Sequence, residues 1–158
     1  MEPGKLIGKP PLHPAQTLLG FDFGSRRIGV AVGQRITGTA SALTTLPARD
    51  GQPDWDQISK LLETWQPQAL VVGQPLQLDG SRSDITEAAE RFARRLEGRF
   101  RLPVYLCDER LSSHAADHWL SEHRGDKRGT PSGGLDAAAA QIILQDWLDS
   151  HGENHGTG

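Results

Sequence analysis

The chain has 158 residues, 36% of them hydrophobic, with 17 Lys and Arg against 20 Asp and Glu and a formal net charge of −3. That length predicts one domain able to bury a core, and the balance excludes nucleic-acid binding driven by bulk positive charge. One cysteine, Cys107, excludes an internal disulfide framework, and no apolar run reaches membrane-spanning length.

The first 16 residues and the last eight read as loose tails, which leaves 17–150 as the expected domain. Leu18-Leu19-Gly20-Phe21-Asp22-Phe23-Gly24 reads as a buried strand. Alternation puts Leu19, Phe21 and Phe23 on one face and Gly20, Asp22 and Gly24 on the other. A short turn at Ser25-Arg26-Arg27 leads to Ile28-Gly29-Val30-Ala31-Val32, so an antiparallel hairpin is expected. Residues 39–46 predict a third strand. Asp54 is the expected N-cap of a helix carrying Trp55, Ile58, Leu61, Leu62 and Trp65 along one stripe.

A short strand over 69–72 ends at Gly73, and a loop over 74–83 precedes a helix. That helix carries Ile85, Ala88, Ala89, Phe92 and Leu96 at helical spacing. Glu87 with Arg91 and Glu90 with Arg94 are spaced for ion pairs on its other face. The five arginines of 91–101 therefore read as a solvated face before they read as a nucleic-acid surface. A strand over 103–107, a helix over 112–123 and a last helix over 135–150 complete the chain. The order predicts an α/β fold: a mixed sheet that begins as an antiparallel meander and continues through helix-covered crossovers.

Asp22 is the residue hardest to explain by packing. Mid-strand aspartate is disfavoured, and a buried carboxylate must be hydrogen-bonded, paired or bound to a cation. Two more carboxylates fall where they could join it. Glu109 follows the end of the strand over 103–107, where ligands gather in open α/β sheets. Asp136 shares a helix face with Ala139, Ala140, Ile143 and Trp147 and so points at the sheet. An oxygen cage of this kind suits Mg²⁺ or Mn²⁺. Plain alternatives stand beside it: Asp136 as a helix N-cap, Glu109 in a surface ion pair with Arg110. His114 and His118 are spaced for zinc but lack a zincin glutamate, and Cys107 reads as a buried strand residue.

The segments Phe21-Asp22-Phe23-Gly24, Arg27-Ile28-Gly29-Val30-Ala31-Val32, Val72-Gly73-Gln74-Pro75-Leu76 with Asp79-Gly80, Asp108-Glu109-Arg110-Leu111-Ser112 and Asp136-Ala137-Ala138-Ala139-Ala140 fall in a telling order. In them the chain resembles the YqgF family, described as pre-16S rRNA nucleases with a Holliday-junction-resolvase-like, RNase H-type fold. The resemblance implies that Asp22, Glu109 and Asp136 are the catalytic, metal-binding carboxylates. Three departures stand out: Gln74 where the family usually has Leu, Ser113 where it usually has Thr, and no basic residue close before Asp136. Lys127 and Arg128 lie farther upstream and can replace the last.

The expected activity is metal-dependent hydrolysis of phosphodiester bonds with Mg²⁺ or Mn²⁺. Arg26, Arg27, Arg110, Lys127 and Arg128 would hold substrate phosphates, although Arg110 could equally pair with Asp108. The expected partner is nucleic acid, pre-rRNA before DNA, with no membrane. The expected setting is the cytoplasm, as a monomer or weak homodimer. A Holliday junction resolvase, a non-catalytic RNA-binding assembly factor and a nucleotide-binding fold of the sugar kinase and actin group are the alternatives.

Overall fold

A computed structural model describes residues 16–77, 79–109 and 134–151. The expected helix over 112–123, together with Arg110, His114, His118, Lys127 and Arg128, lies outside these residues. So do the expected tails over 1–16 and 151–158, apart from Gln16, which is buried, and His151, which ends the last helix.

Six strands form one sheet, in the order β4-β3-β2-β1-β5-β6. They are β1 (Thr17–Asp22), β2 (Arg27–Gln34), β3 (Thr39–Arg49), β4 (Gln52–Pro53), β5 (Ala69–Gln74) and β6 (Val104–Asp108). The first four make an antiparallel meander, while β5 and β6 run parallel to β1. The helices are α1 (Trp55–Trp65), α2 (Asp84–Phe100) and α3 (Gly134–His151). This is the expected mixed architecture, and none of the described helices is long and apolar enough to cross a membrane.

Alternation along β1 divides the core as the sequence predicts. Leu19, Phe21 and Phe23 pack with Ile58 and Leu62 of α1 and with Ala89, Phe92 and Leu96 of α2. Leu18 lies on the opposite face with Ala140, Ile143, Leu144 and Trp147 of α3. Asp54 caps α1, its carboxylate accepting the Gln57 N–H at 3.3 Å.

Two local expectations change. Gln52 and Pro53, just before the expected helix cap Asp54, form a short edge strand β4 not anticipated from sequence, because two residues give no periodic signal. Ile85 is 40% exposed, while Thr86 is fully buried in its place. The Thr86 hydroxyl donates to the Pro75 carbonyl and accepts the Ser83 N–H at 3.0 Å. The first turn of α2 is thus docked by polar bonds, and the apolar stripe begins a turn later with Ala89.

Candidate active site

The register brings three carboxylates to one end of one sheet face. Asp22 pairs directly with Gly29 across the β1–β2 ladder. Phe21 pairs with Val72 of β5, so the next step along both parallel strands brings Gly73 level with Asp22. Asp22 therefore stands between two glycines, and each glycine makes room for another element. A Cβ at Gly29 would lie 1.8 Å from the Asp136 carbonyl oxygen, so the first turn of α3 rests directly on that backbone. A Cβ at Gly73 would lie 2.4 Å from Oε2 of Glu109. Glycine inside a strand signals such a close approach, and here the approaching groups are the two expected partners of Asp22.

Each acid is held by its element. Asp22 is the last residue of β1. Glu109 extends the β5–β6 pairing by one residue, its N–H donating to the Gln74 carbonyl at 3.0 Å. Asp136 lies in the first turn of α3, two residues inside its start, which corrects the N-cap alternative. Behind it Ala140, Ile143 and Trp147 are buried, with Ala137 and Ala138. Ala139, placed by sequence on the packed face, is only half-buried.

Electrostatics fits a cation-binding arrangement. Burial pushes the Asp22 carboxyl up to about 7, and the nearby Asp136 adds to the shift. Burial likewise pushes Glu109 up to about 7, reinforced by Asp22 and Asp108. Among the described residues no group donates a hydrogen bond to Asp22. Desolvation and like charge both oppose ionisation, and neither is relieved by a donor. The donor set is all oxygen, as Mg²⁺ and Mn²⁺ prefer.

Among the described residues no three or more His, Cys, Asp or Glu side chains are placed, as they stand, to hold a metal ion together. Asp136 is turned instead to Arg27, whose Nε donates to Oδ2 at 2.9 Å. Three carboxylates repel one another unless positive charge intervenes, and the Arg27 guanidinium supplies it for Asp136. Arg27, expected to hold substrate phosphate, thus also pairs with Asp136. Arg26 is exposed beside it on the β1–β2 turn.

Sequence reasoning missed a supporting network behind Glu109. The Gln74 side chain donates to Glu90 Oε2 at 2.7 Å, and Arg82 engages both oxygens of the same carboxylate. Glu90 thus pairs with the loop residue Arg82 and not with Arg94 of its own helix. The network ties the loop after β5 to α2 and steadies the strand end that carries Glu109. Its one signal in sequence is Gln74, polar where the family pattern has leucine. Cys107 is buried as expected, its thiol pushed up to about 12 by burial and donating to the Ile143 carbonyl at 3.6 Å.

The described residues thus build an RNase H-like sheet with acidic residues at the carboxyl end of β1, just beyond β6 and at the start of α3. The family pattern of RuvX, Holliday junction resolvase, matches residues 16–150, and the chain belongs to that family. A protein of Yersinia pestis strain Pestoides F that carries the provisional name pre-16S rRNA nuclease is 52% identical over 134 residues. The match covers 85% of this chain and 95% of the relative, and a Yersinia pseudotuberculosis protein of the same name matches equally. Among solved structures, Thermus thermophilus RuvC in complex with a Holliday junction substrate superposes with a TM-score of 0.54 at 16% identity. That comparison covers 85% of this chain and 94% of RuvC. Fowlpox virus resolvase in complex with Holliday junction DNA gives a TM-score of 0.53 at 10% identity over 85% of this chain and 97% of that one. These two likenesses establish the shared fold.

Proposed function

We propose that this protein is a divalent-metal-dependent nuclease that trims the 5′ end of pre-16S rRNA in the cytoplasm. The observation that carries the proposal is the half-buried Asp22 carboxylate, with no hydrogen-bond donor among the described residues, between glycines that admit Glu109 and Asp136. Asp22, Glu109 and Asp136 are the residues that would hold Mg²⁺ or Mn²⁺. Bound there, the metal supplies a water nucleophile and Lewis-acid stabilisation of the departing oxygen.

The protein's own residues supply position and exclusion. Phe21 and Phe23 anchor β1 from the far face, so the Asp22 backbone has little freedom to retreat. Glu109 is fixed through its N–H on Gln74. Arg27 orients Asp136 through Nε, which leaves its remaining N–H groups for substrate phosphate, with Arg26 next to it on the turn. Pre-rRNA is favoured over DNA by the name of the half-identical Yersinia relatives.

Metal affinity follows the ionisation of the two perturbed acids. Protons compete with the metal while Asp22 and Glu109 titrate near pH 7, so Mg²⁺ should raise the melting temperature more at pH 8 than at pH 6. With two acids about tenfold under-ionised at pH 6, the apparent dissociation constant should be larger by up to about 100-fold. A pH-independent melting shift would contradict the assignment.

The family name and the two superposed structures favour a second reading, a Holliday junction resolvase acting on DNA. One preparation should be assayed on a pre-16S rRNA 5′ precursor and on a four-way DNA junction with Mg²⁺ or Mn²⁺. Precursor trimming that Glu109→Gln abolishes supports the nuclease proposal. Junction cleavage without trimming supports the resolvase. RNA binding without any cleavage would leave a non-catalytic assembly factor.

A further inference from the structure

Behind Asp22, on the other face of the sheet, lies a concave surface. Phe23 follows Asp22 and alternation turns its ring away from α3, onto Phe92 of α2 at 5.0 Å between ring centroids. Phe23 and Phe92 help line a cleft of about 210 Å³, whose walls are the turn at residues 50–53 and Ala88, Arg91 and Arg95 of α2. That is room for about seven waters. The cleft and the carboxylates share one backbone unit. The Gly51 N–H donates to the Ser25 carbonyl at 2.9 Å, and the Ala48 N–H donates to the Arg26 carbonyl at 2.8 Å, so the turn that walls the cleft is tied to the turn that follows Asp22.

Among the described residues, Arg91 lacks the partner that helical spacing offers it. Arg91 stands four residues after Glu87, yet among the described residues it forms no ion pair. Among the described residues Arg95 makes a 3.4 Å bond from Nη1 to the Gln52 side-chain oxygen. Arg26 on the flanking turn and Arg49 at the end of β3 are exposed. Asp50 is the one carboxylate of the lining. Guanidinium groups left open over an apolar floor match a sugar–phosphate backbone, whose phosphates accept their forked donors while ribose and base cover carbon.

We infer that this cleft receives the single strand of the nucleic-acid substrate after it passes the carboxylates, with Arg91 and Arg95 holding its phosphates. The inference rests on the nuclease reading for its direction, and it assigns a substrate site separate from the metal-binding acids.

The test is fluorescence anisotropy of labelled single-stranded RNA with the full chain in EDTA, so that the RNA stays intact, across a range of salt concentrations. Arg91→Ala with Arg95→Ala should weaken binding about tenfold at low salt. It should also lower the slope of log K against log salt by about 1.4, the value for two phosphate contacts on a single strand. The pair Arg94→Ala with Arg101→Ala removes the same charge outside the cleft and should leave the slope unchanged. Arg91→Lys with Arg95→Lys should restore it, which also guards against a folding defect in the alanine pair. An unchanged slope in the Arg91 and Arg95 alanine variant, or an equal fall in the control pair, would overturn the inference. Weakened binding by that variant in a protein that cleaves nothing would keep the cleft and retire the nuclease reading. Cleavage with no change in binding would do the reverse.

Discussion

Asp22→Asn is expected to lower metal-dependent cleavage at least about a thousandfold, a loss of about 4 kcal/mol of transition-state stabilisation, while stabilising the metal-free protein at pH 8. Both effects have one source, a half-buried carboxylate that water solvates poorly. In the folded chain Asp22 holds its proton up to about pH 7, well above its ordinary 3.8. A raised folded pKa means that the native state binds the proton more tightly than the unfolded chain. The stability this contributes is fully present below about pH 4 and is lost as pH rises through about 7. At pH 8 the native state carries the whole strain of a desolvated charge near Asp136 and Glu109. Asparagine removes it, a gain on the order of 2–4 kcal/mol that disappears near pH 4. Thermal unfolding in EDTA at pH 4 and pH 8, with cleavage assays on the same protein, separates the two effects. Undiminished cleavage would remove Asp22 from the chemistry, and equal melting at pH 8 would deny that its charge is strained.

Gly29→Ala is expected to cost more than about 3 kcal/mol, at the severe end of overpacking, and to depress cleavage in whatever fraction still folds. The added methyl would meet the Asp136 carbonyl oxygen at 1.8 Å, its carbon at 2.3 Å and the Ala137 nitrogen at 2.9 Å. All three are backbone atoms of the first turn of α3, so no rotamer change relieves the contact. The helix must lift, taking Asp136 away from Asp22. Gly33→Ala on the same strand meets chiefly the tips of Leu144 and Leu148 at 3.0 and 3.1 Å and should be much milder. Gly98→Ala meets nothing within 4 Å on α2 and should stabilise by up to about 1 kcal/mol. Urea unfolding of the three variants should rank them in that order. A Gly29→Ala protein as stable and active as its parent would mean that α3 does not rest on β2 as described.

What the sequence made legible was periodic or local. Two-residue alternation separated the faces of β1 and left Asp22 opposite Phe21 and Phe23, while the Asp54 cap and the stripe of Ile58 and Leu62 placed α1. Contacts between distant segments were hidden. Arg27 and Asp136 are 109 residues apart, and nothing in the Arg26-Arg27 turn reveals which guanidinium turns to the acid. Glu90 had a well-spaced partner in Arg94, but the fold offered Arg82 and Gln74, held closer by the docked loop after β5. Gly29 and Gly73 could have been read as sites of close approach from their place inside strands. What approaches them depends on how α3 and the segment after β6 return to the sheet, which no local pattern encodes.

The most direct test of the shared carboxylate site is anomalous scattering at the manganese edge from crystals soaked in Mn²⁺. Manganese should appear among Asp22, Glu109 and Asp136, within coordination distance of their oxygens, with Arg27 turned away from Asp136. Manganese bound elsewhere, with Asp22 left bare, would contradict a common metal-binding role for these three acids.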